Sequence, residues 1–238
     1  MRKLVMTALI AYGATGCVAS DGEGGEDGLI TAKWSFKELA TGSTLGCPAG
    51  FNTTAVHVIP VDALGNRLGN GVIDLYNCSD MRGTEEYPPD RYEVYMEITT
   101  ASNSGLYADT PSAIVDIIKE DATITQTIID DGGYFYFDWA LRGATTGAQL
   151  TCDTAMADGV EIISTLNGTS SAKTDIFNCR QGGGYTAGLR AGTYTLSIAA
   201  LDTQDRSIGT VPALTNKTIS APNKTTDLGL VMIPIDGK

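Results

Sequence analysis

Asp74-Leu75-Tyr76-Asn77-Cys78 returns as Asp175-Ile176-Phe177-Asn178-Cys179, and this recurrence decides the fold. Upstream of each pentapeptide lies an earlier cysteine, Cys47 or Cys152. Before those come Thr41-Gly42 with Leu45 and Thr146-Gly147 with Leu150, and thirteen residues before each first cysteine stands a tryptophan, Trp34 or Trp139. Self-similarity over this length means two copies of one unit, each with its own cysteine pair. The offset between copies is 105 at the tryptophans and first cysteines and 101 at the second cysteines. Most of the difference falls between Val61 and Ile73, where copy one has Asp62 to Gly71 and copy two has Asn167 to Ser171. A length change at a turn is what a shared β scaffold tolerates.

The segments between these landmarks read as strands. Opening strands are expected at Ile30–Phe36 and Tyr134–Leu141, carrying the tryptophans. Ala55-Val56-His57-Val58-Ile59 matches Gly159-Val160-Glu161-Ile162-Ile163, which sets His57 opposite Glu161. In the next strand Tyr92, Val94, Met96 and Ile98 share one face, with Arg91, Glu93, Tyr95 and Glu97 on the other, the mark of one buried and one solvated side. Further strands are expected at Ala113–Ile117, Ile124–Ile129, Lys217–Ser220 and Leu228–Ile233. No long stretch has helical periodicity. The expectation is all-β: two tandem Ig-like or prealbumin-like β-sandwiches, residues 29–131 and 132–238, joined at Asp130-Asp131-Gly132-Gly133.

Ala191-Gly192-Thr193-Tyr194-Thr195-Leu196 resembles the Gly-x-Tyr-x-apolar strand of transthyretin-like and carboxypeptidase-regulatory-like domains. That resemblance implies a seven-stranded prealbumin-like sandwich. Copy one has Pro89-Asp90-Arg91-Tyr92-Glu93-Val94 at the same place, with Asp90 for the glycine.

At the N-terminus, Arg2-Lys3 precedes an apolar run, Leu4 to Tyr12, of signal-peptide length and too short to span a bilayer. It ends in Ala14-Thr15-Gly16-Cys17, which resembles a bacterial lipobox, with Ala14 where that family usually has Leu. The resemblance implies removal of residues 1–16 and lipidation (palmitate included) of Cys17. Val18, rather than Asp, after the cysteine implies the outer membrane. Residues 17–28 include Asp21-Gly22-Glu23-Gly24-Gly25-Glu26-Asp27-Gly28, an acidic, glycine-rich tether with no apolar periodicity.

Four cysteines allow three pairings. A duplicated unit keeps its bridge internal, which selects Cys47–Cys78 and Cys152–Cys179, in the oxidising compartment that export implies. Zinc sites place cysteines two to four apart, and none of these are.

The formal net charge is −12, or −14 once Arg2 and Lys3 are removed. Such a surface repels phosphate backbones, so nucleic acid is not an expected partner, and membrane attachment needs the lipid. Hydrophobic residues make up 42% of the chain, enough for a real core. With a single histidine, His57, and no Gly-x-Ser-x-Gly, the chain reads as a non-enzyme with no cofactor. Trp34 and Trp139 are expected to pack on the bridges rather than stack on sugars. Asp74 and Asp175 read as turn or strand-edge residues, and Asp62, Asn66 and Asn70 as a loose oxygen-rich loop without calcium-loop spacing. The asymmetry between copies points elsewhere: Tyr87, Tyr92 and Tyr95 cluster in copy one, while copy two has Ser197 at the post of Tyr95. These tyrosines are the candidate ligand-binding residues. The functional expectation is an envelope lipoprotein for adhesion, scaffolding or protein binding, with a carbohydrate- or calcium-binding surface module as the alternative.

Overall fold

The computed structural model describes residues 27–102 and 105–238. Cys17 and the expected leader lie outside the described residues, as does the tether apart from its last two positions. The first copy folds as β1 (Gly28–Lys37), β2 (Thr44–Leu45), β3 (Thr53–Pro60), β4 (Val72–Asn77), β5 (Arg82–Tyr87), β6 (Arg91–Thr99), β7 (Leu106–Asp109), β8 (Ala113–Asp116) and β9 (Ala122–Ile129). The second folds as β10 (Gly132–Gly143), β11 (Gln149–Leu150), α1 (Cys152–Ala155), β12 (Gly159–Leu166), β13 (Ala172–Asn178), β14 (Gly183–Tyr185), β15 (Leu189–Arg190), β16 (Gly192–Leu201), β17 (Ser207–Thr210), β18 (Leu214–Ile219) and β19 (Lys224–Ile235). Gly28, expected in the tether, is instead the first residue of β1. It pairs with Tyr87, and a Cβ there would meet Ile117 at 3.1 Å.

Each copy is a two-layered sandwich of the same strand plan, with β14 and β15 in the second where the first has β5. In the first, β1 is the centre of one layer, antiparallel to β2 and β5 on one side and parallel to β9 on the other. The facing layer runs β4–β3–β6, with β7 and β8 sharing the far side of β6. The second sandwich repeats this with β10 between β11, β14 and β15 on one side and parallel β19 on the other, facing β13–β12–β16 with β17 and β18 beyond. Alternation explains the choice of face. Ile30, Ala32, Trp34 and Phe36 of β1 point inward against Val56, Val58, Val94, Met96 and Ile98. Phe135, Phe137, Trp139 and Leu141 of β10 do the same against Val160, Ile162, Leu196 and Ile198. Each fully buried side chain of this size contributes about 1.5–3 kcal/mol.

The repeated landmarks form one packing unit. Cys47–Cys78 and Cys152–Cys179 are bonded, the pairing expected from the repeat. The indole Nε1 of Trp34 donates to the Cys78 carbonyl at 2.8 Å, and that of Trp139 to the Cys179 carbonyl at 2.9 Å. Both rings are buried, so the tryptophans are core. Tyr76 and Phe177 pack beside them, and each lies over a glycine: a Cβ at Gly83 would sit 2.4 Å from the Tyr76 ring, and one at Gly184 would sit 2.6 Å from that of Phe177. The recurring Thr-Gly also has a cause. Gly42 and Gly147 take φ of 75° and 67°, and their amides close a turn onto Glu38 and Gly143 carbonyls.

The ladder corrects one alignment. Pro60 pairs with Tyr92, and Leu166 pairs with Tyr194, so β3 and β12 correspond at an offset of 106 rather than 104. His57 therefore matches Ile163, and Glu161 matches Ala55. A slip of two preserves the in-out alternation of a strand, so periodicity could not expose it. The extra residue in copy two lies after Cys152, where α1 forms with Thr151 and Thr154 as a capping box. The β3–β4 hairpin is then five residues longer than β12–β13, since Asp74 and Asp175 differ by 101.

The junction is short and bonded from both sides. Asp131 accepts from the amides of Leu39 at 2.6 Å and Ala40 at 2.8 Å, and its own carbonyl accepts from Ala191. Asn223, fully buried in the turn before β19, accepts from the Ile129 amide at 2.7 Å and donates to the Asp109 carbonyl. Tyr134 donates to the Thr127 carbonyl at 2.8 Å. These bonds couple the two sandwiches, and that of Asn223 satisfies an Ile129 amide that would otherwise be buried unpaired.

Candidate binding face on the first sandwich

The outer side of the β4–β3–β6 layer carries a cluster that copy two lacks. The His57 ring stacks on Tyr95 with centroids 4.3 Å apart and an interplanar angle of 8°, and His57 Nε2 lies 3.0 Å from Glu97 Oε2. Arg67 reaches back from the longer hairpin and forks onto Glu93, with Nε–Oε2 and Nη2–Oε1 distances of 2.5 and 3.0 Å. Its guanidinium carbon lies 5.9 Å from the Tyr95 centroid, within cation–π range. The hairpin is held in place by the Val61–Arg67 bridge, by the Leu68 amide on the Pro60 carbonyl, and by Arg91 Nη1 on the Ala63 carbonyl at 2.9 Å. In copy two the matching posts are Ile163, Ser197, Ala199 and Thr195, and Arg67 lies in the hairpin segment that copy two shortens.

The electrostatics follow from this geometry. The Arg67 fork holds the Glu93 carboxyl below its ordinary range against the opposing effect of burial, with the Ser112 hydroxyl helping. Burial raises the Tyr95 phenol, and the Glu97 carboxylate adds to that. Ser112 also bonds to Tyr185 of the second sandwich, which places the Glu93 end of the cluster near the junction.

The structure separates the three candidate tyrosines. Tyr87 and Tyr92 are only 7% and 6% exposed and pack on one another in the core. The Tyr87 hydroxyl donates to Asp74, and the Tyr92 hydroxyl donates to the Pro88 carbonyl at 2.9 Å. Neither is free to meet a ligand; Tyr95 alone of the three stands on the outer face. Even there His57 is stacked on the ring and Arg67 stands by it, so the ring is not an open platform for a sugar. Asp62 is committed to its own turn, accepting from Leu64 N, Asn66 N and Asn66 Nδ2, each at 2.8 Å. Among the described residues no group of three or more His, Cys, Asp or Glu is placed to hold a metal ion.

Sequence reasoning missed Arg67, because it sits in the length-variable hairpin, and missed Glu97 as the partner of His57, because periodicity does not fix the register of β3 on β6. The usable signal was that the copy-one insertion carries a lone arginine opposite a strand rich in glutamate. Next to this cluster lies an apolar strip on the edge strand β4. Ile73, paired with His57, and Leu75 are 48% and 57% exposed.

No family model matches the chain, and no curated protein matches it. Among solved structures, a leucine-rich repeat protein from Bacteroides thetaiotaomicron is similar at TM-score 0.41 and 12% identity, covering 89% of this chain. The minor pilin GBS52 of Streptococcus agalactiae is similar at TM-score 0.30 and 14% identity, covering 89% of this chain and 97% of the pilin. The shaft pilin spaA of Lactobacillus rhamnosus GG is similar at TM-score 0.27 and 9% identity, over 89% and 91%. This chain spans 27% of the length of the leucine-rich repeat protein and 34% of that of the Bacillus anthracis TIE protein, another match. At these scores the likenesses carry no argument about function.

Proposed function

We propose that this chain is a non-enzymatic, lipid-anchored protein of the cell envelope, whose tandem sandwiches present a protein-binding face for adhesion or scaffolding. The anchor at Cys17, the cleavage after Gly16 and the outer-membrane location belong to this reading and rest on the lipobox-like sequence. The observation that carries the binding role is the outer face of the first sandwich. Ile73 and Leu75 stand exposed on an edge strand beside the rigid His57–Tyr95–Arg67 cluster. An edge strand with exposed apolar side chains is normally blunted in a protein that works alone, and here it offers a contact strip to another chain. The single histidine supports the non-enzymatic reading, since its Nε2 faces Glu97 and its ring lies on Tyr95, which fixes a side chain rather than activating a nucleophile. The calcium alternative loses its loop to the Asp62 turn.

Two measurements test the reading separately. Cys17→Ser moves the protein from the membrane to the soluble fraction; unchanged membrane retention overturns the anchor. Ile73→Lys with Leu75→Lys lowers binding of purified protein to isolated envelopes by about tenfold or more; unchanged binding overturns the face.

A further inference from the structure

The second sandwich has a cavity at one end. It lies at the end of the sandwich next to the junction, has a volume of about 320 Å³, and takes Leu39 from the first sandwich into its wall. The two ladders show how it arose. Val58 and Val72 pair in the first sandwich, and Ser164 and Lys173 pair at the same posts in the second. Tyr87 pairs with Gly28, and Leu189 pairs with the corresponding Gly133. Copy one therefore plugs this end with a tyrosine ring and a valine, and copy two has a leucine and a serine there. Arg190 follows Leu189 where copy one has Pro88. The shared tyrosine stays: the Tyr194 hydroxyl donates to the Arg190 carbonyl at 2.8 Å, as Tyr92 does to Pro88.

One polar group of this cavity, the Ser164 hydroxyl, is left without a partner, and the two cations beside it are held only loosely. Ser164 is 1% exposed and lines the cavity, and its Oγ has no hydrogen-bond partner among the described residues. A buried hydroxyl left unpaired is destabilising, so its retention in place of valine asks for a partner that arrives from outside. Lys173 Nζ reaches only the Gly188 carbonyl, at a long 3.4 Å. Arg190 stands 3.8 Å from Asp131, whose oxygens are already taken by the Leu39 and Ala40 amides. Leu39, Leu166 and Leu189 give the wall its apolar part, and Thr169, Ser171 and Tyr194 complete it. Two cations at the mouth of a half-apolar cavity, in a chain with 28 acids against 16 bases, mark a place for a small anion. One inner hydroxyl adds a place for an alcohol, and the volume lies within the range of small-ligand pockets.

We propose that this cavity binds a small polyhydroxylated carboxylate, a hexuronic acid residue in chemical class. The carboxylate pairs with Lys173 and Arg190, one ring hydroxyl bonds to Ser164 Oγ, and the ring face lies on the leucines. The site is separate from the face on the first sandwich and stands or falls without it.

The test uses the full chain and D-glucuronate as probe, followed by titration calorimetry and amide chemical shifts, with D-glucose and acetate as controls. One saturable site is expected, with shifts at Ser164, Lys173 and Arg190. Affinity should exceed that for either control by about tenfold or more, the weight of a charge-assisted hydrogen bond. Ser164→Val and Lys173→Val, which install the residues of the first sandwich, should each abolish it, and Ser164→Val should melt at a higher temperature than the parent. If Ser164→Val fails to fold, Lys173→Val at its exposed post decides alone. Shifts that do not saturate, equal binding of glucose or acetate, or binding that survives Lys173→Val overturns the proposal.

Discussion

The two sandwiches share a plan, and two of their differences separate what the fold requires from what each copy adds. Where both copies keep the same chemistry, the residues make one packing unit: a buried indole on a cystine carbonyl, a bridge, and an aromatic ring over a glycine. Where they differ, the change follows length or volume. The longer hairpin of the first sandwich brings Arg67 onto an outer face that the second leaves plain. The smaller residues of the second sandwich open an end that the first fills with Tyr87. The shared unit is therefore about stability, and the divergent places are where function is to be sought.

The largest effect that tests this comparison is loss of a bridge. Replacing Cys47 and Cys78, or Cys152 and Cys179, with serine should cost about 3–4 kcal/mol in either sandwich, because the sequence separations of 31 and 27 are nearly equal. Denaturant unfolding of both variants checks it, and a markedly unequal loss would break the equivalence of the units. Next comes the coupling between them. Asn223→Ala leaves the Ile129 amide and the Asp109 carbonyl without their partner, at a cost of about 1–3 kcal/mol, and calorimetry should show a single transition separating into two. Gly83→Ala and Gly184→Ala should each lose about 1–3 kcal/mol by crowding the Tyr76 and Phe177 rings. An unperturbed melt in one copy alone would show that the shared unit is not shared in energy.

The smallest effect is electrostatic and confined to the first sandwich. Arg67 lowers the Glu93 pKa below its ordinary 4.5 in the folded state, so this pair contributes stability above about pH 4.5 and loses it as pH falls through the lower folded value. Arg67 is half exposed, and solvent screens much of the gain. Arg67→Met should flatten the acid slope of stability between about pH 5 and 3 by a few tenths of a kcal/mol, and Thr195→Met at the post matching Glu93 should leave it unchanged.

Much of the architecture was legible in the chain. The Trp34–Cys47–Cys78 and Trp139–Cys152–Cys179 spacing shows the duplication and the pairing, and the alternation along Tyr92–Ile98 shows which side of β6 is core. Register was not legible, because a shift of two keeps every side chain on its face; only the hydrogen-bond ladder, through Pro60–Tyr92 and Leu166–Tyr194, fixes it. Burial of Tyr87 was hidden for a different reason. An aromatic at a strand end reads the same whether it faces solvent or plugs the end of a sandwich, and the fate of Tyr87 depends on Asp74 and Tyr92, thirteen residues before and five after. The cavity beside Ser164 was invisible because it is a property of what Leu189 fails to fill.

The parallel pairing of first and last strand has a mechanical consequence. In each sandwich the chain enters along β1 or β10 and leaves along its neighbour β9 or β19, running the same way. A pull on the two ends of either sandwich drags these neighbours in opposite directions along their length. The load then falls on the whole row of backbone bonds together, in shear, instead of peeling them one by one. The row runs from Ile30–Ala122 to Lys37–Ile129 in the first sandwich and from Gly133–Lys224 to Gly143–Ile235 in the second. Because β9 passes into β10 through Asp130 and Asp131, tension crosses from one row to the next with little slack, and the longer second row should be the last to give way.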